Sequence, residues 1–164
     1  MNMTSRSRYA IKIMMDLAFH KDLPHVARKD IVQRQGVSTD YLDQIMIRLR
    51  RGGLVESVRG RGGGYRLARS ADVISAWNIF HSVEDSLFPV ECVDDTHSCA
   101  FESACISHSA WEQIFGGVRR HLEGTTLASL VAGRTAVHHM DLAAGPRNCN
   151  GGTTRTLVTT GGVR

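Results

Sequence analysis

Three of the four cysteines, together with His108, lie within a stretch of seventeen residues. Six residues separate Cys92 from Cys99, five separate Cys99 from Cys105, and two separate Cys105 from His108. Thiolates and imidazole together suit iron–sulfur clusters, zinc or copper(I). The first two spacings are too wide for one helical turn and predict a loop, whereas Cys105 and His108 would share one face of a helix. This stretch therefore predicts an inorganic centre held between a loop and a helix.

The same cysteines allow two other interpretations, a thiol redox switch and a structural role. Acidic residues such as Glu91, Asp94 and Glu102 make the segment unlike a buried core of small hydrophobic thiols. The first residues of the chain have an amphipathic pattern, without the charged start, apolar run and cleavage site of a signal peptide. The sequence therefore predicts a cytoplasmic protein with reduced thiols, in which metal binding or redox chemistry is favoured over a structural bridge.

Charge is distributed unevenly along the chain. Residues 1–69 contain 14 Lys and Arg against 6 Asp and Glu, whereas residues 70–118 contain 8 acidic residues and no Lys or Arg. The basic part favours a polyanionic partner such as nucleic acid. The acidic part would repel such a partner and suits dimerisation or sensing. No apolar run approaches eighteen residues, so the sequence predicts no membrane span and no membrane partner.

The spacing of apolar residues predicts three helices in the basic part. The first covers about residues 3–20 and the second about residues 26–34. Gly36 suits the left-handed conformation at a helix end, and Ser38 is a good N-cap for a third helix over Thr39–Arg51. Two helices joined by a short turn that contains glycine are typical of a helix-turn-helix.

The exposed face of the third helix has side chains that can read base edges. Gln can bond adenine through two hydrogen bonds, and Asp can accept a hydrogen bond from N4 of cytosine. An ordinary solvated helix face is the alternative interpretation. The residues on this face are Asp40, Asp43, Gln44, Ile47, Arg48 and Arg51.

A glycine-rich segment follows the third helix. Residues 54–58 and 65–68 have the composition of strands, and four glycines and two arginines lie between them in Arg59–Gly64. A β-hairpin in this position is a wing, whose arginines can enter a minor groove or lie along the DNA backbone. A nucleotide-binding phosphate loop is disfavoured, because the G-x-G-x-x-G and Gly-Lys-Ser/Thr patterns are absent and the segment leads into a strand.

The second half of the chain is predicted to be helical up to about residue 133. Helices are expected over residues 72–83 and 103–123, followed by a short closing helix, Thr126 to Val131. The apolar residues of the long helix form one stripe that could be core or a homodimer seam, and they are Trp111, Ile114, Phe115, Val118 and Leu122. Residues 134–164 have no helical period and are predicted to be a mobile tail, in which Cys149 is a spare thiol.

Three segments of the sequence match a known pattern: SRYAIKIMMDLA, RQGVSTDYLDQIMIRLRRGGLVESVRGRGGGYRLAR and CISHSAW. Through them the chain resembles the IscR-type iron–sulfur regulators, a family of dimeric winged-helix transcription factors in bacteria, over about residues 1–133. The resemblance implies a mostly α fold with a small β-hairpin, in which a winged helix-turn-helix (residues 1–70) precedes a cluster loop and dimerisation helices (71–133).

The resemblance also implies a [2Fe–2S] cluster held by Cys92, Cys99, Cys105 and His108. His97 lies inside the loop and is an alternative fourth ligand, and [4Fe–4S] and zinc are alternative occupants. The best-known members of the family have Glu at the position of Asp43, so a different base preference is expected. The expected DNA-binding residues are Ser38, Thr39, Asp40, Tyr41, Asp43, Gln44, Arg48, Arg59, Arg61 and Gly62, of which Asp40, Asp43, Gln44 and Arg59 match positions where the family contacts DNA.

Together, these features predict a homodimeric, sequence-specific DNA-binding regulator that represses genes for cluster assembly or iron response according to the state of its cluster. A zinc-bound or thiol-switched regulator is one alternative. A cysteine-dependent enzyme is another, and it is disfavoured because acidic surroundings raise the pKa of a thiol and no base lies at a recognisable spacing. We therefore expect no enzymatic activity.

Overall fold

A computed structural model describes residues 4–60, 62–88, 90 and 105–138, with only the backbone described for residues 134–138. Six helices and three short strands make up these residues. In chain order they are α1 (Ser5–Phe19), β1 (Val26–Ala27), α2 (Arg28–Gln35), α3 (Thr39–Arg51), β2 (Val55–Val58), β3 (Gly64–Leu67), α4 (Ala76–Val83), α5 (His108–Gly124) and α6 (Leu127–His138).

Hydrogen bonds at the helix ends explain the boundaries of the first three helices. The hydroxyl of Thr4 accepts a hydrogen bond from the amide of Arg6 at the start of α1, and Ser38 accepts one from Tyr41 at the start of α3. These N-caps satisfy amides that have no partner within the helix. Gly36 ends α2 with a φ of 61°, where glycine is favoured. The predicted helix-turn-helix is confirmed, with α3 as its second helix.

A three-stranded antiparallel sheet forms the wing and its base, in the order β1-β3-β2. Strands β2 and β3 are the predicted hairpin. The expectation of one helix over residues 26–34 is wrong at its start, because Val26–Ala27 pairs with Tyr65 and Gly64 of β3 and α2 begins only at Arg28. A two-residue strand is too short to show an alternating pattern in the sequence, so the helical period of the following residues obscured it.

Two helices in the second half begin later than expected. Helix α4 was expected from residue 72 but begins at Ala76, because the side chains of Ser75 and Asn78 each accept a hydrogen bond from the other's backbone amide. This reciprocal capping box is a strong helix start. The long helix, expected over residues 103–123, has its described start at His108.

The last helix is longer than expected. The sequence predicts a short helix from Thr126 to Val131, whereas α6 continues to His138. Residues 134–138 are therefore helical, although they were expected to begin the mobile tail. The remainder of that expected tail, including Cys149, lies outside the described residues, and the division into domains at residues 70 and 133 stays a prediction.

Helix α1 runs through the core and contacts α2, α3, α4, α6 and β3. Its inner face consists of the fully buried side chains of Ala10, Ile13 and Met14, together with Leu17. The same buried cluster includes Leu127 of α6. The winged helix-turn-helix and the closing helix therefore share one hydrophobic core.

An ion pair between a buried carboxylate and an exposed guanidinium fixes α2 against α1. The carboxylate of Asp16 accepts hydrogen bonds at 2.9 and 2.8 Å from Arg34, the last basic residue of α2. This hydrogen bond raises the pKa of the Arg34 guanidinium. A buried carboxylate is costly without such donors, so the pairing constrains how α2 packs beside α3.

We predict that Gly64→Ala disrupts the base of the wing. A methyl group at this position would meet the backbone of Val26 and lie 2.8 Å from the Cα of Ala27, because β1 and β3 approach closely here. Forcing atoms into this contact should lower the free energy of unfolding by about 1–3 kcal/mol, as measured by urea denaturation.

The matched control is Gly117→Ala in α5, where an added methyl group meets nothing within 4 Å. Alanine is about 1 kcal/mol more favourable than glycine inside a helix, so this variant should be as stable as the parent or more so. Equal urea midpoints for Gly64→Ala and the parent would contradict the close approach of β1 and β3.

Candidate nucleic-acid interface and metal centre

Helix α3 buries one face and exposes the other. Leu42, Ile45, Met46 and Leu49 lie in the core. The opposite face carries exposed Gln44, Ile47 and Arg51, and the exposed residues Ser38, Thr39 and Asp40 lie at the N-terminal end. The polar residues expected to read DNA are thus presented together on the surface at the start of α3, whereas three other candidates have partners within the protein.

Tyr41 joins α3 to the start of α1. Its hydroxyl is 2.9 Å from the hydroxyl of Ser5, and its ring meets that of Tyr9 edge-to-face with centroids 5.7 Å apart. The side chain is half-buried. It therefore positions the first turn of α1 beside the exposed face of α3, in addition to any contact with DNA.

Arg48 turns from the exposed face of α3 toward the end of α4. Its Nη1 donates hydrogen bonds to the carbonyl of Val83 at 3.2 Å and to Oδ1 of Asp85 at 2.8 Å. Asp85 is also 3.4 Å from a guanidinium nitrogen of Arg6 in α1. The hydrogen bond and the charge of Arg48 lower the pKa of Asp85. No local pattern predicts this three-helix contact, because the residues are far apart in the chain.

Asp43 is paired across the two helices of the helix-turn-helix. Its Oδ2 accepts a hydrogen bond from Nη2 of Arg28, the first residue of α2. Burial raises the pKa of the neighbouring Tyr65 hydroxyl, and the negative charge of Asp43 raises it further. Arg28 was not among the residues expected at the site, because its pairing with Asp43 depends on the packing of α2 against α3.

The wing is held against the loop that precedes β1. Gly60 and Gly62 have φ values of 123° and 87°, which favour glycine, and the amide of Gly63 bonds the carbonyl of Gly60 at 2.9 Å. The ring of His25 lies 2.7 Å from the carbonyl oxygen of Gly62, to which its Nε2–H donates. Arg59 is exposed beside this turn, and Arg61 lies outside the described residues.

The first turn of α1 is fixed by a buried carboxylate. Oε1 of Glu84 accepts hydrogen bonds from the hydroxyls of Thr4 and Ser7, both at 2.5 Å, and from the amide of Thr4 at 3.3 Å. Burial alone would raise the pKa of Glu84, but the hydrogen bonds from Ser7 and Thr4 outweigh it and leave the pKa lowered. The ionised form of Glu84 is therefore part of the folded structure.

Two of the expected metal ligands lie on one turn at the start of α5. Cys105 precedes the helix, and its sulfur is 3.3 Å from the hydroxyl of Ser107. His108 is the first helical residue and is buried, with its Nε2 3.7 Å from a carboxylate oxygen of Glu112. The amide of His108 also bonds the carbonyl of Cys105 at 3.3 Å. The two residues are therefore three positions apart on one turn that a backbone hydrogen bond closes.

The donor chemistry at this turn fits a sulfur- and nitrogen-ligated centre. The hydrogen bond with Ser107 lowers the pKa of the Cys105 thiol, which is the opposite of what its acidic surroundings led us to expect. A lowered pKa favours the thiolate, the form that binds metal. Cys92, Cys99 and His97 lie outside the described residues, and among those described no three His, Cys, Asp or Glu side chains form a metal site.

The apolar stripe of α5 is partly covered within the chain. Phe115 meets Phe88 with ring centroids 5.8 Å apart, and Leu122 packs against the cluster formed by Ala76, Phe80 and Leu87. Ile114 remains 55% exposed. The stripe therefore contributes to both the core and the surface of this chain.

The whole architecture matches a known group of proteins. The family model described as "Rrf2: Iron-dependent Transcriptional regulator" matches residues 3–133. The chain belongs to the Rrf2 family. The HTH-type transcriptional regulator IscR of Erwinia tasmaniensis is 39% identical over 131 residues, which cover 80% of this chain and 79% of the relative.

Solved structures give the same result. T. potens IscR has a TM-score of 0.65 and 32% identity, over 88% of this chain and 94% of that one. CymR, the global cysteine regulator of B. subtilis, has a TM-score of 0.66 and 32% identity, over 80% of this chain and 97% of that one. The expected family and the winged-helix fold class are confirmed.

Membership of the Rrf2 family settles the general class of activity. The chain is a transcriptional regulator of the winged helix-turn-helix type, and such proteins bind DNA. Its relatives are named as transcriptional regulators. None of the helices in the described ranges has the length and apolar character needed to cross a membrane.

We predict that Glu84→Gln flattens the acid dependence of stability. Because the pKa of Glu84 is lower in the folded chain than in the unfolded chain, its contribution is complete above the ordinary value of about 4.3 and is lost as pH falls through the lowered pKa. Denaturation with urea between about pH 6 and pH 3 should show a steeper loss of stability for the parent than for Glu84→Gln.

A suitable control is Glu123→Gln, which removes an exposed carboxyl that pairs with Arg119 on α5. Exposed pairs contribute little to stability, so this variant should keep the acid dependence of the parent. If Glu84→Gln also keeps it, the ionised Glu84 does not stabilise the first turn of α1.

Proposed function

We propose that the chain is a cytoplasmic, homodimeric repressor that binds an operator in double-stranded DNA and senses an iron–sulfur cluster. The proposed cluster is [2Fe–2S], with Cys92, Cys99, Cys105 and His108 as its ligands. The observation that carries this proposal is the turn at the start of α5, where a thiol of lowered pKa and a buried imidazole are three residues apart in the chain. Genes for cluster assembly or iron response are the proposed targets.

Residues at this turn would prepare the ligands before a cluster binds. Ser107 stabilises the thiolate of Cys105 by a hydrogen bond. Glu112, one helical turn after His108, lies within 3.7 Å of the imidazole and would restrict its orientation. A bound cluster would supply the response to oxidation and iron supply. With one histidine ligand, the cluster would be more labile than with four thiolates.

The end of α4 would connect the cluster loop to the reading helix. Asp85 lies seven positions before Cys92 and holds Arg48 of α3 and Arg6 of α1. A change in the loop that displaced Asp85 would therefore release an arginine of the reading helix. We propose that this contact carries the state of the cluster to the DNA-binding surface.

DNA would be contacted by the start of α3 and by the wing. Ser38, Thr39, Asp40 and Gln44 are exposed at the N-terminal end of α3, where base-reading side chains of helix-turn-helix proteins are placed. Arg59 at the wing would contact the backbone or minor groove. Ile114 of α5, exposed and apolar, would lie in the homodimer interface.

A zinc-bound or thiol-switched regulator is the second candidate. The lowered pKa of Cys105 favours it, because thiolates are also the reactive form in redox switches. Colour separates the candidates, since an iron–sulfur protein purified without oxygen is red-brown and a zinc or thiol protein is colourless. Iron and sulfide analysis, followed by DNA footprinting with and without the cluster, is the corresponding experiment.

We predict that His108→Ala accelerates loss of the cluster. Removal of one ligand should make chelator-induced loss of the visible absorbance at least about tenfold faster, since even indirect changes at metal sites have effects of this size. The measurement is absorbance after anaerobic reconstitution, together with iron and sulfide per chain.

The matched control is His121→Ala, which removes an exposed histidine from the same helix and should retain the cluster as the parent does. Equal rates of loss for the two variants would show that His108 is not a ligand. An absence of iron and sulfide from the parent itself would refute the cluster.

We also predict that Asp85→Asn weakens the dependence of DNA binding on the cluster. Loss of the charge frees Arg48 in both states, so the ratio of the dissociation constants with and without the cluster should move toward one. Asp72→Asn is the control, because Asp72 is an exposed acid whose carboxylate accepts a hydrogen bond from the hydroxyl of the nearby Ser70 and lies far from Arg48 in the sequence. An unchanged ratio in Asp85→Asn would exclude this contact as the link.

A further inference from the structure

An ion pair joins the two helices of the helix-turn-helix at the surface. Arg28 is the first residue of α2, and its Nη2 donates a hydrogen bond to Oδ2 of Asp43 on α3. The two side chains are 44% and 36% exposed. Surface pairs of this kind contribute little to stability, so the fold alone does not account for the arrangement.

The pair lies beside a groove between the helices and the wing. Arg28 lines this groove from α2, and Thr39 lines it from the start of α3. The remaining lining residues come from β1, α2 and the wing turn, and they are Ala27, Lys29, Val32, Gly60, Gly62 and Gly63. Arg28 is therefore placed between the two elements that the proposed function assigns to DNA.

The pairing changes what Asp43 can do at this surface. An unpaired carboxylate only accepts hydrogen bonds and is repelled by phosphates. The positive charge of Arg28 offsets the negative charge of Asp43, so the pair does not repel phosphate. One oxygen of Asp43 already accepts a hydrogen bond from Arg28. The guanidinium has five N–H donors in a rigid fork, and the bond from Nη2 to Asp43 leaves most of them for a second partner.

We propose, on the basis of the proposed function, that Arg28 recognises a guanine in the operator and that Asp43 is its positioning residue. Two N–H donors of a guanidinium match O6 and N7 of guanine in the major groove. Asp43 holds the guanidinium of Arg28 at the reading face. Without this hydrogen bond, the long side chain of Arg28 would be flexible. This assignment replaces the expectation that Asp43 itself accepts a hydrogen bond from cytosine.

The two assignments favour the same base pair, G·C, and differ in the residue that reads it. Variants therefore decide between them. The full-length chain, purified without oxygen, selects its preferred site from a pool of random-sequence DNA duplexes. Dissociation constants are then measured for that site and for duplexes with each base pair replaced in turn.

Arg28→Lys keeps the charge and removes the fork. We expect it to reduce the preference for one G·C pair by about tenfold, within the range of a bidentate contact, and to leave the salt dependence of binding unchanged. Asp43→Asn should reduce the preference at the same base pair. The double variant should lose no more preference than the larger of the two single variants, because both act through one contact.

Lys29→Gln is the matched control, since Lys29 is the exposed basic neighbour of Arg28 in the same groove. It should weaken binding to all duplexes by a similar factor and leave the base preference intact. Thermal melting of each variant gives an independent check, and we expect melting temperatures close to the parent because both paired side chains are partly exposed.

Three results would overturn the proposal. If Arg28→Lys keeps the preference and Asp43→Asn loses it, Asp43 reads the cytosine itself. If Arg28→Lys or Arg28→Gln weakens binding to every duplex equally, Arg28 contacts only phosphate. If the parent chain selects no site in any state of its cysteines, sequence-specific recognition fails together with the proposed function, a result that is distinct from the first two.

Discussion

Two adjacent carboxylates at the end of α4 set the relation between the helices. Glu84 is buried and requires hydrogen-bond donors, which Thr4 and Ser7 supply from the first turn of α1. Asp85 faces solvent and engages Arg48 of α3. The start of α1, the reading helix and the segment that leads to the cysteines are therefore tied at one place, so none of them can shift without breaking a contact of the others.

The uneven charge of the sequence overstates the positive potential of the DNA-binding half. Several of its arginines are engaged by carboxylates: Arg28 by Asp43, Arg48 by Asp85 and Arg66 by Glu56. Paired guanidinium groups attract phosphate less strongly, but they are held in defined orientations. This exchange favours contacts of defined geometry over unspecific attraction to phosphate.

Features that depend on neighbouring residues were predicted well from the sequence. The cap at Ser38, the glycine at the end of α2 and the bounds of α3 follow from local chemistry. The sequence spacing of three residues likewise predicted that Cys105 and His108 share one turn. The fold class followed from the order of these elements together with the family resemblance.

Features that depend on packing between distant segments were not predictable in this way. Strand β1 exists only because Gly64 allows β3 to approach it, and two residues give no pattern of their own. The pairing of Arg28 with Asp43 depends on the packing of α2 against α3. The hydrogen bond between Arg48 and Asp85 depends on the packing of α4 against α3. The predicted ligands Cys92 and Cys99 lie outside the described residues, so half of the candidate metal centre still rests on the sequence.

The hydrogen bond from His25 to Gly62 has a consequence for the kinetics of target search. A hairpin tip rich in glycine would by itself sample many conformations. Binding to a duplex would then restrict it to one of them, at a cost in conformational entropy. The histidine restrains the tip from outside the hairpin, so the helix pair and the wing meet the duplex as one rigid body. Much of the loss of chain entropy then occurs during folding, and a sliding protein can test successive sites without rebuilding its own surface at each one.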